Sequence, residues 1–173
     1  MSAKPTVYVD ANILSILFYR GPDERTIARR LTTRDWWAVE RPLFQVWGSP
    51  FLVTELSGGQ YAGREKAVPA ATRLPYLAFT ESVNRSRELL LDEGIVPFNK
   101  AGDALHLAFA TVYKVDYLLT WNRAHLSNVT TQEKLNVLCK REGWRPPLVV
   151  SPDTIPKAAL GQEIRRHHEG TRP

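Results

Sequence analysis

Only one of the 173 residues is cysteine, and the lone Cys139 excludes an internal disulfide and any CxxC pair for zinc or redox work. The four histidines form no HExxH pair, Gly58-Gly59 does not continue as GxxxxGK[ST], and no Ser-His-Asp string sits in a motif context. Zincin, P-loop and serine-hydrolase chemistry therefore lack their marks. No apolar run is long enough to span a bilayer, and residues 1–5 lack the charged and apolar regions of a signal peptide. A reducing, cytoplasmic setting is expected. Internal repeats and interdomain linkers are missing too.

What is present is the composition of one globular domain, 43% hydrophobic and 24% charged, long enough to bury a core without disulfide staples. We expect a domain over residues 1–152 and a basic tail over 153–173. Lysine and arginine number 23 against 18 acidic residues, a net charge of +5, which favours polyanionic partners through counterion release. Part of that excess lies in the tail, at Arg165, Arg166, His167 and His168, which reads as a solvated or frayed end ahead of a dedicated binding arm.

Strand-forming runs are expected over residues 6–10, 43–47, 117–121 and 148–150. Helices are expected over 12–19, 24–39, 51–56, 81–93 and 103–113, and in a segment headed by a Thr130/Glu133 capping box and ended by Gly143. Ser49-Pro50 supplies an N-cap followed by proline at the first helical position. Pro69 breaks the apolar pattern between residues 65 and 74 and leaves that segment open, as are Ile95 and Val96, a short strand or none. The strands read as continuous apolar runs alternating with helices, so the fold class is α/β, a three-layer α/β/α arrangement around a central parallel sheet.

Ligands of such sheets sit beyond the carboxyl ends of the strands. Four polar residues fall there: Asp10 closes the first strand, Glu55 lies in the helix after the second, Asp103 opens a helix after Gly102, and Asn122 follows the strand ending at Trp121. Carboxylates gathered without matching lysine or arginine repel one another, and an oxygen-preferring cation, Mg2+ or Mn2+, relieves that repulsion. Each residue alone also has a plain structural role, as a cap, a turn former or a solvated side chain.

The segments YVDANIL (8–14), SPFLVTELSGG (49–59), GDALHLAFA (102–110) and DYLLTWNRAHLSN (116–128) resemble the ordered motifs of PIN-domain ribonucleases, in particular the VapC-like toxins of toxin-antitoxin systems. The resemblance runs from about Thr6 to about Pro152. It implies a PIN-like, metal-dependent endoribonuclease with Asp10, Glu55, Asp103 and Asn122 at its catalytic site, Asp10 and Asp103 holding the metal and Glu55 orienting water or the ion. It also implies an RNA substrate, a cognate antitoxin protein and a homodimer, with no membrane partner. Asn122 departs from the family pattern, which often has aspartate there; its amide oxygen can coordinate but adds no charge.

Asn12 is expected to fix Asp10 or a phosphate oxygen, or to cap the helix. His106 and His125 read as packing or hydrogen-bonding histidines ahead of a catalytic role, Lys100, Arg64 and Arg123 as RNA contacts or solvated charge, and Trp121 as a stacking platform or core. Cys139 reads as core. Two alternatives stand beside the nuclease. One is a PIN-fold module that binds RNA or protein but cleaves weakly. The other is a haloacid-dehalogenase-type phosphatase, which wants an acid at position 12, where Asn12 stands, and a GDxxxD, of which Gly102-Asp103 supplies only the start.

Overall fold

The computed structural model describes residues 3–124 and 126–156; His125 and the basic tail from residue 157 onward, with Arg165, Arg166, His167 and His168, lie outside the described residues. Four strands, β1 (Thr6–Val9), β2 (Gln45–Trp47), β3 (Tyr117–Leu119) and β4 (Leu148–Val150), form one sheet in the order β2-β1-β3-β4. Every pairing is parallel, with Val7 opposite both Val46 and Tyr117, and Leu118 opposite Val149. Parallel pairing needs long crossovers, which the helices supply. These are α1 (Ala11–Leu17), α2 (Glu24–Asp35), α3 (Pro50–Ser57), α4 (Arg64–Thr72), α5 (Glu81–Asp92), α6 (Ala101–Val112) and α7 (Val129–Glu142).

Alternation along each strand divides the core in two. Val7, Val9, Val46, Tyr117 and Leu119 point to one face, against Ile13 and Leu14 of α1, Leu52 and Leu56 of α3 and Ala67 and Ala71 of α4. Tyr8, Leu118 and Val149 point to the other, against Leu90 of α5, Leu107 and Phe109 of α6 and Leu135 and Leu138 of α7. Helices thus cover both faces, and this α/β architecture with an all-parallel sheet matches the expected three layers. Cys139 is buried among the second set, and burial pushes its thiol up to about 11, as befits a core residue.

Local chemistry sets the helix starts. Ser49 Oγ accepts from Leu52 N and Pro50 occupies the first helical position, as expected. The last helix differs: Asn128 caps it by accepting from Thr131 N at 2.8 Å, so α7 begins at Val129 and Thr130 lies inside its first turn. The first helix is capped by Asp10 and not by Asn12. The expected helix over 24–39 is α2 continued by a π-helical turn at Trp36–Glu40, which seats Trp36 in the core. Residues around Pro69 are helical after all, because Pro69 sits in a short exposed helix whose packing rests on Ala67 and Ala71. Ile95 and Val96 form no strand; both amides bond Leu90 O after Gly94 turns at φ +62°, and both side chains enter the core.

Two close approaches brace the site's scaffold. Gly63 takes φ +102°, and a Cβ there would collide with the Phe18 carbonyl oxygen, so only glycine lets α4 start against the end of α1. At the amino-terminal ends of the two central strands, Thr6 N and Oγ1 donate to Asp116 Oδ2 at 2.8 and 2.7 Å, while Asp116 N donates back to Thr6 Oγ1 at 2.9 Å. This clasp ties the start of β1 to the start of β3.

Candidate active site

Asp10 leaves the end of β1 in an extended conformation and caps α1, with Asn12 N donating to Oδ1 at 3.1 Å. Its Oδ2 accepts from Thr120 Oγ1 at 2.7 Å and from Asn12 Nδ2 at 2.9 Å. Asn12 closes the circuit: its Nδ2 also donates to Thr120 Oγ1, and its Oδ1 accepts from Trp121 N. The start of α1 is thereby locked to the end of β3, and Asp10 is held by three donors while 93% of it is buried; the exposed remainder is 7%. Of the roles expected for Asn12, fixing Asp10 is the one observed.

Glu55 stands in the second turn of α3 with a side chain 41% exposed, and its Oε2 lies 2.7 Å from Nε2 of His106. Gly102 makes room for it, since a Cβ there would come within 3.3 Å of Glu55 Oε1. Asp103 sits in the first turn of α6, which starts at Ala101, two residues earlier than the sequence pattern predicts. Its Oδ2 accepts from Asn122 Nδ2 at 2.8 Å, and Asn122 N in turn donates to Thr120 Oγ1 at 3.0 Å. The Asn122 amide therefore spends its donor on Asp103.

His106 follows Asp103 by three residues, on the same face of α6, and is 2% exposed. Besides Glu55, its Nε2 lies 3.5 Å from Asp10 Oδ1. Its Nδ1 is 3.0 Å from the Tyr8 hydroxyl, which is 2.7 Å from Ser49 Oγ. Burial is the largest influence on this imidazole and disfavours its charge, but Asp10, Glu55 and Asp103 together outweigh it and raise its pKa above the ordinary value. Nε2 faces the Glu55 carboxylate and Nδ1 faces the Tyr8 hydroxyl. Burial, then the charge of Asp10, raise the Asp103 carboxyl above the usual range, and burial drives the Tyr8 hydroxyl far above its own.

Asp10, Glu55 and Asp103 line an open cleft of about 550 Å³, together with Asn12, Ser15, Tyr19, Gly58 and Gly59. No lysine or arginine appears among the described residues lining it. Asp10, Glu55 and His106 each offer a ligand atom within 4.8 Å of the others; Asp103 stands outside that tight group but on the same cleft. This donor set fits a divalent cation. Asp10 Oδ1 retains a lone pair beyond its bond to Asn12 N, and Glu55 and Asp103 are reachable from solvent.

Of the four residues predicted for the site, three line one cleft and Asn122 joins them through Asp103. The packing and hydrogen-bonding expected of His106 are observed, and its partners place it at the centre of the group; the Asp103-x-x-His106 spacing is the signal that marks it. Thr120, Tyr8 and Ser49 carry no such signal. Trp121 packs at the core edge, donating from Nε1 to Thr33 Oγ1 with the Arg29 guanidinium 5.2 Å from its ring centroid. Arg123 donates to Thr154 Oγ1, and Lys100 is felt electrostatically by Asp103. No protein-family model matches the chain, and no curated protein matches it.

Proposed function

We propose that the protein is a divalent-metal-dependent endoribonuclease of the PIN-like type. The observation that carries this reading is the meeting of Asp10, Glu55 and Asp103 on one solvent-open cleft free of lysine and arginine among its described lining residues. Three carboxylates there repel one another unless a dication joins them; burial first, and then the charge of Asp10, raise the Asp103 carboxyl above the usual range. Asp10, Glu55 and Asp103 would hold Mg2+ or Mn2+. A bound dication supplies the charge that polarises a phosphodiester oxygen and makes water acidic enough to attack phosphorus. Asp10 is fixed for this work by Asn12 and Thr120, Asp103 by Asn122, and Glu55 is oriented by His106. A toxin role with a cognate antitoxin rests on the motif resemblance alone.

A second reading, a PIN-fold module that binds RNA and cleaves weakly, is favoured by one feature. The His106 imidazole, its pKa raised above the ordinary value, already sits between Asp10 and Glu55, and Asn122 adds no charge, so the pocket offers a metal fewer free carboxylate oxygens. An RNA cleavage assay with Mn2+, with Mg2+ and with chelator separates the two. Metal-stimulated cleavage lost in Asp103→Asn supports the nuclease. Cleavage undiminished by chelator or by that substitution refutes it, and RNA binding without turnover under any metal favours the module.

A further inference from the structure

A second cleft of about 470 Å³ opens between the end of α1, α2, the π-helical turn and α4. It is lined by Arg20, Arg30, Arg34 and Lys66 together with Tyr19 and Trp37, and no carboxylate occurs among its described lining residues. Tyr19 also lines the acidic cleft, so the two adjoin there. Arg30 is anchored, its Nη1 donating to Tyr19 O at 3.0 Å, while its Nε is buried with no hydrogen-bond partner. Cationic side chains gathered in a cleft without a lining carboxylate favour an anion there. Arg34 and Lys66 are exposed, and Arg20 meets Glu65 only at 3.7 Å on the surface.

We propose that this basic cleft binds the phosphate backbone of the RNA strand next to the acidic cleft, holding nucleotides that flank the bond to be cut. The inference rests on the nuclease reading, because a strand laid across the acidic cleft continues past Tyr19 and needs cations where it leaves. Guanidinium forks match phosphate oxygens, and Arg20, Arg30 and Arg34 all line this cleft. Cations on a strand's path add affinity without reading its sequence.

The test is fluorescence anisotropy of a labelled single-stranded RNA with the full chain in chelator, over a series of salt concentrations. The double variant Arg34→Ala/Lys66→Ala is compared with Lys134→Ala/Lys140→Ala on α7, which loses the same charge from exposed positions elsewhere. The cleft variant is expected to bind at least ten-fold more weakly and to show a salt slope shallower by about 1.4, two contacts at about 0.7 each. Equal losses in both variants overturn the proposal. So does binding of a poly-glutamate peptide that depends on Arg34 and Lys66 while RNA binding does not, which would assign the cleft to an acidic protein. Since no turnover is measured, discriminating RNA binding stands even if the cleavage assay fails, and intact cleavage with no discrimination removes this inference alone.

Discussion

His106 Nε2 and Glu55 Oε2 meet at 2.7 Å, joining α6 to α3 across the mouth of the acidic cleft. The pair makes stability depend on pH in a definite direction. With its native pKa raised, His106 contributes stability that is fully present below its unfolded value of about 6.5 and is lost as pH rises through the raised native value. Urea midpoints measured from pH 6 upward should fall for the wild type and stay flatter for His106→Gln. Parallel curves for the two proteins would show that the imidazole is not charged in the fold.

Asp10→Asn and Asp103→Asn should part company. Three donors face Asp10, and an amide can satisfy them only by turning its own NH2 toward at least one, so Asp10→Asn should cost about 1–3 kcal/mol of stability besides any activity. Asp103 is half-buried, with Asn122 as its hydrogen-bond donor, and its amide variant should unfold near the wild-type midpoint while losing metal-stimulated cleavage. Thermal melts alongside the cleavage assay check both.

Replacing Asn122 by aspartate turns a donor into a second carboxylate 2.8 Å from Asp103. Without metal, Asn122→Asp should melt lower than the wild type. With Mn2+ it should recover more, because a ligand that binds only the folded state stabilises in proportion to the logarithm of its concentration over Kd. A Mn2+-induced shift no larger than the wild type's would place residue 122 outside the ion's reach.

Gly102→Ala tests the space beside Glu55. The new Cβ would lie 3.3 Å from Glu55 Oε1, a contact the flexible carboxylate relieves by moving. The helix should gain no more than about 1 kcal/mol, while the geometry between Glu55 and His106 changes. We expect an unchanged or slightly raised melting temperature with reduced cleavage, and full activity would show that the position of Glu55 is not critical.

Much of this architecture is legible in the residues themselves. The apolar runs ending at Asp10 and Trp121, and the Ser49-Pro50 start of α3, are local signals, and local physics realised them. The misses have tertiary causes. Thr130 and Glu133 have the spacing of a capping box, but Asn128 reaches Thr131 N first and starts α7 earlier. His106 lies in an almost wholly buried stretch of α6, where a histidine reads as packing; only the arrival of α3 with Glu55 and β1 with Tyr8 and Asp10 gives it charged and polar partners. The place of Asn122 after a strand puts it near the site, whereas its role as a donor to Asp103 depends on the turn that follows β3.

The clasp between Thr6 and Asp116 has a kinetic side. It joins residues 110 apart in sequence, and the central strand pair it anchors can form only by closing that loop, an entropic cost of about 4 kcal/mol beyond a constant. Folding should therefore be slow for a protein of this helix content, since distant pairings delay it. During synthesis, Asp10 emerges early, but Thr120 and Asn122, which hold Asp10 and Asp103 in place, emerge more than a hundred residues later. A growing chain thus carries no finished acidic cleft until Asn122 has been made, and any activity seated there begins only after that point.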